Sequence, residues 1–228
     1  MVDHVHDLES LRTATERLLS AAEALGDEDV AGASLLPGWT RGHLLAHLAR
    51  NADALVEVLA GRPMYASPEA RDSDIARDAP RGAAAQLLDL RESAERFAAA
   101  AAAPGDWSRT VELRNGVQDT AARVPFRRLV EVELHHVDLG TGYRLEDLPG
   151  EFVLREIAFL TERFAGHPDV PPLTVSVAGA GEWRTGRKDG GTVTVAGPPA
   201  DVVGWLSGRR DGALLHVSAG ALPALPPL

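Results

Sequence analysis

Leu8, Leu11, Leu18, Ala22 and Leu25 recur at helical spacing and predict one apolar helix face over residues 5–26, ending at Gly26. The run LLPGWTRGHLLAHLARNADALVEVLAG begins with a Pro37-Gly38 turn and offers Thr40 as a cap. It predicts a second helix to Ala60, with Gly61 as its stop. Residues 62–81, polar and rich in Arg and Asp, read as a connection. A third helix, GAAAQLLDLRESAERFAAAAAA, is stopped by Pro104-Gly105. In TVELRNGVQDT the alternation around Asn115-Gly116 signals a hairpin. A fourth helix follows from about Pro125 to Gly140, and EFVLREIAFLTERFAG is a fifth.

From Pro171 the apolar period shortens from that of a helix to that of a strand. LTVSVAGAGEWRTG and GTVTVAG read as strands, PPADVVGWLSGRR as a helix and ALLHVSA as a last strand, before an extended, proline-rich tail ALPALPPL. The change places a domain boundary in GHPDVPP, residues 166–172. The expected fold is mainly α with an α+β appendage: an up-down four-helix bundle over residues 1–166, then a small α/β domain over residues 172–228. No internal repeat is apparent.

Composition narrows the functional classes. The 228 residues are 45% hydrophobic, enough for a real core. A net charge of −10 with no compensating basic patch argues against nucleic acid or an anionic membrane as partner. There is no cysteine, which excludes disulfides, thiolate metal ligands and a protein-borne thiol nucleophile. Any sulfur chemistry would need a thiol brought from outside. The N-terminus lacks an apolar signal core and no stretch reaches about 18 uninterrupted apolar residues. A soluble, cytoplasmic protein is expected.

The candidate chemistry lies in VEVELHHVDLG, residues 130–140. Residues four apart share a helix face, so Glu131 stacks with His135, while His136 points about 100° away. On the second helix His47 aligns with Leu44, Asn51 and Leu55, the side a bundle buries, and His43 sits in the first turn. Two imidazoles and one carboxylate on facing helices make a metal site with an open position, suited by ligand type to zinc or ferrous iron. The competing reading is a set of hydrogen-bonded core histidines, since HxxxH without a following Glu is not the metalloprotease signature. Glu112, Glu133 and His136 read as solvated.

LPGWTRGHLLAHLARNADALVEVLAG, RDSDIARDAPR and RRLVEVELHHVDLG resemble the mycothiol-dependent maleylpyruvate isomerase family, and VAGPPADVVGWLSGR extends the resemblance to nearly the whole chain. It implies a DinB-like bundle joined to a small C-terminal domain, with zinc on His47, Glu131 and His135. Asp138, on the face of His135, is then either a hydrogen-bond partner of that imidazole, a group near the metal, or a surface residue. The resemblance also implies an arginine for substrate carboxylates in the RDSDIARDAPR loop: Arg77, with Arg71 and Arg81 as neighbouring candidates. In the C-terminal module Arg209 matches the family's Gly-Arg and would close over the site.

The implied activity is a zinc- and mycothiol-dependent cis–trans isomerisation of maleylpyruvate to fumarylpyruvate, by reversible thiolate addition, within aromatic catabolism. The partners are then a small electrophile and a low-molecular-weight thiol. Two alternatives stand beside it: a mycothiol S-transferase that conjugates another electrophile at the same zinc site, and a non-catalytic bundle with structural histidines. Oligomeric state is not legible.

Overall fold

The computed structural model describes residues 3–103 and 105–227, with Pro68 by its backbone only. The helix stop expected at Pro104 and the last residue of the tail lie outside the described residues. The chain forms two compact units, residues 1–143 and 144–228.

In the first unit, four long helices form the bundle: α1 His4–Glu23, α3 Arg41–Leu59, α5 Ala83–Ala102 and α6 Val124–Asp138. α1 packs on α5 and α6, and α3 closes the ring by packing on the same two helices. Leu18, Leu44, Leu48, Leu55, Leu90, Leu129 and Val132 fill the centre with essentially no exposure, as the helical spacing of apolar positions predicts. The Asp3 side chain caps α1 by accepting from the Val5 and His6 amides. Thr40 caps α3, as expected, by accepting from the His43 amide.

A short helix α2, Asp27–Ala31, links α1 to the segment that carries LPGWT. That segment is fixed to the end of α6: the Leu35 amide donates to Asp138 O (2.8 Å) and Arg41 Nε to Leu139 O (2.7 Å). The expected hairpin is present as β1 Thr110–Glu112 and β2 Gln118–Thr120, an antiparallel pair. Its tip uses Asn115 at φ 60° and Gly116 at φ 73°, the left-handed conformations these residues tolerate best.

Residues 62–81 are not a plain connection. They contain α4, Pro68–Asp78, capped by Ser67, whose Oγ accepts from the Ala70 amide at 3.1 Å. Its sequence hides the helix because only Ile75, Asp78 and Ala79 around its last turn are buried, too few for a visible apolar stripe. Tertiary contacts hold it instead. Gln86 Nε2 on α5 donates to Asp78 O (2.8 Å), and Gly42 on α3 lets the Ala79 carbonyl approach so closely that a Cβ there would stand 2.2 Å from it.

The second unit contains α7 Gly150–Phe164, then β3 Leu173–Val177, β4 Gly181–Thr185, β5 Val193–Ala196, α8 Pro199–Leu206 and β6 His216–Val217. The sheet order is β4-β3-β5-β6, with β3 and β5 parallel and the other two pairs antiparallel. Leu173, Val175 and Val177 alternate inward along β3. α7 packs on α8 and β4, and Thr185 Oγ1 on β4 donates to Thr161 O at 2.6 Å. The fifth helix therefore belongs with the sheet, and the division lies at 143/144 rather than in the 166–172 stretch. The change of apolar period marked where strands begin, which is one helix later than where the second core begins. Mainly α with a small α/β second unit is the fold class the sequence predicts. Among the described residues no helix is long and apolar enough to cross a membrane.

Candidate metal centre

α3 and α6 lie side by side in the bundle, and their facing turns bring His47, Glu131 and His135 together. Glu131 Oε2 stands 2.9 Å from His47 Nε2 and 3.2 Å from His135 Nε2. The two imidazoles meet edge to face, centroids 4.8 Å apart at 88°. Zinc bonds of about 2.0–2.1 Å in tetrahedral array put neighbouring ligand atoms roughly 3.3 Å apart, so the donor set is already close to metal-binding spacing. Trp39, from LPGWT, presents its ring to His47 at 5.6 Å.

The protonation states also suit a metal. Burial drives the His47 pKa down and keeps the ring neutral, against the pull of Glu131. Burial alone would raise Glu131, but hydrogen bonds from His135 and His47 outweigh it and hold the carboxyl well below the usual range. A neutral His47 ring and an ionised Glu131 carboxylate are the charge states from which these two side chains ligate.

Asp138 is 1% exposed, and its Oδ2 lies 2.8 Å from His135 Nδ1. A buried carboxylate that holds the Nδ1–H of an imidazole leaves Nε2, which meets Glu131 in the metal-free cluster, as the nitrogen that ligates once a metal displaces that contact, a common arrangement behind metal-binding histidines. At His47 the other nitrogen faces a cation: Arg71 Nη2, from α4, donates to Nδ1 at 3.2 Å. His47 then carries its ring proton on Nε2 and shares it with Glu131. For Nε2 to ligate, that proton must leave and Nδ1 becomes the protonated nitrogen, so Arg71 must turn its guanidinium elsewhere.

The other expected residues sort as follows. Arg77 stands on the exposed side of α4, tied to Asp74 and Asp78, which raise its pKa. Of the three arginines named from that segment, Arg71 is the one that touches the cluster. Arg209, in the second unit, donates Nη1 to Ser207 O at 3.2 Å. His43 is a capping residue, its Nδ1 2.7 Å from Thr40 Oγ1.

Glu133 and His136 are not solvated. They are 2% and 4% exposed, because α1 covers that face of α6. Glu133 accepts from Arg17 Nη2 (2.5 Å) and Tyr143 Oη (2.9 Å), and His136 stacks on Tyr143 at 4.1 Å. Glu112 is exposed, as expected.

Tyr65 was missed by sequence reasoning. Burial pushes its phenol pKa up, Arg71 and Arg114 draw it down, and Glu131 pushes it up again. The residue therefore shares an electrostatic neighbourhood with the cluster. A half-buried aromatic in the otherwise polar 62–81 stretch was the available signal. Arg128, one turn before Glu131, is fully buried and donates to Leu48 O and Asn51 Oδ1, both at 2.8 Å. Burial pushes its pKa down to about 10.

Fold and site define a helical-bundle protein with a two-histidine, one-carboxylate centre built across two of its helices. Residues 11–140 match the family model described as mycothiol maleylpyruvate isomerase N-terminal domain, and residues 147–227 match the MDMPI C-terminal domain. The chain belongs to the mycothiol-dependent maleylpyruvate isomerase family, a family of enzymes. It is similar to two crystal structures of the mycothiol-dependent maleylpyruvate isomerase. One is a histidine-to-alanine variant, at TM-score 0.90; the other superposes at 0.87. Each is 26% identical over 99% of this chain and 97% of its own. Comparison with curated protein sequences returned no match.

Proposed function

We propose that the chain is a zinc- and mycothiol-dependent cis–trans isomerase that converts maleylpyruvate to fumarylpyruvate. The observation that carries this reading is the convergence of His47 Nε2, His135 Nε2 and Glu131 Oε2 within a family whose solved members are mycothiol-dependent. Together, a zinc ion and the external thiol supply a thiolate at neutral pH that adds reversibly to a conjugated cis double bond, allowing rotation before sulfur leaves.

The chain's own residues do the rest. His47, Glu131 and His135 hold the metal, and three protein ligands leave a position for the thiol. Asp138 fixes the tautomer and orientation of His135. Arg71, released from His47 Nδ1 when Nε2 ligates and exchanging its ion pair with Asp72, grips the substrate carboxylate nearest the reacting carbon in a bidentate clamp. Arg77 and Arg209 keep the substrate-binding roles that the family resemblance implies, with Arg77 needing to give up its Asp74 and Asp78 partners to reach substrate. The absence of cysteine is consistent with a thiol supplied from outside.

The test is turnover of maleylpyruvate by purified, zinc-loaded protein with and without mycothiol, scored by fumarylpyruvate. Thiol-dependent turnover that falls to background in His47→Ala is the expected outcome. A folded, zinc-bearing protein that leaves maleylpyruvate unchanged would refute the isomerase and shift the reading to mycothiol transfer onto another electrophile.

A further inference from the structure

The segment 61–67 and the β1–β2 hairpin line an open cavity of about 530 Å3 with mixed polar and apolar walls. Tyr65 lines its wall and is hydrogen-bonded to Arg71, which in turn touches His47, so the cavity adjoins the metal centre. Three arginines line the cavity, and two of them are committed. Arg62 is clamped by Glu57, with Nη2 at 2.8 Å from Oε1, and Arg109 donates to the Leu59 carbonyl. Glu112 is engaged by Gln118 Nε2 at 3.0 Å.

Arg114 differs. Its guanidinium makes no hydrogen bond or ion pair among the described residues, and it sits at the hairpin tip, where Asn115 and Gly116 fix a tight left-handed turn. An uncommitted cation on a protein of net charge −10 is a specific place for an anion. Arg71 lies outside the cavity wall but is hydrogen-bonded to Tyr65 within it, so a ligand that spans from the metal centre into the cavity has a guanidinium at each end.

We propose that this cavity is the subsite for the electrophile's distal carboxylate: Arg114 binds the carboxylate remote from the reacting double bond, Arg71 binds the near one, and the pair selects dianionic electrophiles. This rests on the isomerase reading for which bond reacts, but the selection for two carboxylates can be measured without turnover.

The experiment is calorimetric titration of the zinc-loaded full chain with heptanedioate, a seven-carbon dicarboxylate with no reactive double bond, and with heptanoate as its monocarboxylate counterpart. Arg114→Met is expected to weaken heptanedioate about tenfold, equivalent to about 1.4 kcal/mol, and heptanoate less than about twofold. Arg114→Lys is expected to recover part of the loss, since it keeps the charge without the bidentate fork. Arg114 is exposed, so both variants should keep the wild-type melting temperature. Failure of wild type to bind heptanedioate, equal binding of both acids by wild type and Arg114→Met, or a loss confined to mycothiol affinity would each overturn the subsite. Dicarboxylate selection through Arg114 in a chain that does not turn over maleylpyruvate would sustain the subsite while refuting the isomerase.

Discussion

Two adjacent histidines on α6 have opposite fates because a helix turns about 100° per residue. His135 joins Glu131 and His47, while His136 faces α1 and stacks on Tyr143. His135→Ala is therefore expected to abolish stoichiometric zinc binding. His136→Ala should retain zinc and lower stability by about 1–3 kcal/mol, the usual range for removing a buried packed side chain. Metal analysis of the two variants after dialysis, alongside urea unfolding, checks both halves of the prediction. The inward faces of His47, Glu131 and His135 were legible in the sequence because periodicity acts within a helix and needs no knowledge of the partner. The burial of Glu133 was not. Its partner Arg17 lies 116 positions away, and whether a carboxylate on a bundle helix meets water or a guanidinium depends on which helix covers that face.

At the scale of elements, α4 shows why a polar helix escapes pattern reading. Its stability comes from charged contacts of Asp78 with Arg50, Arg77 and Arg81, and from Gln86 on its last carbonyls, rather than from an apolar stripe. Burial works to raise the Asp78 pKa, yet Arg77, Arg81 and Arg50 together leave it below its ordinary value. A folded-state pKa below the unfolded one stabilises the folded chain above roughly pH 4, and the contribution fades as pH falls through the folded value. Asp78→Asn should cost about 1–2 kcal/mol at pH 7. The gap from wild type should close as unfolding is followed below about pH 4. A gap that stays constant across that range would show that the charge on Asp78 does not hold α4. Because α4 carries Arg71, the same variant should weaken substrate binding more than zinc binding.

At the scale of the whole molecule, the division into two units decides which truncations fold. α7 buries Phe152, Val153, Ile157, Leu160 and Phe164, and it packs on α8 and β4. A chain ending at residue 143 is expected to stay soluble and bind zinc, whereas one ending at residue 166 carries the apolar face of α7 without its sheet and should aggregate. Size-exclusion chromatography of the two fragments distinguishes them, and equal behaviour would place α7 with the bundle after all. The other whole-chain property that bears on function is an absence: with no cysteine in 228 residues, the only protein sulfur belongs to two methionines. Zinc-edge X-ray absorption on the loaded protein therefore reports directly on the external thiol. Addition of mycothiol should bring one sulfur into a shell otherwise made of two imidazoles and light oxygen donors, and His47→Ala should lose that signal together with its metal. A nitrogen and oxygen shell unchanged by saturating mycothiol would contradict thiol activation at this centre.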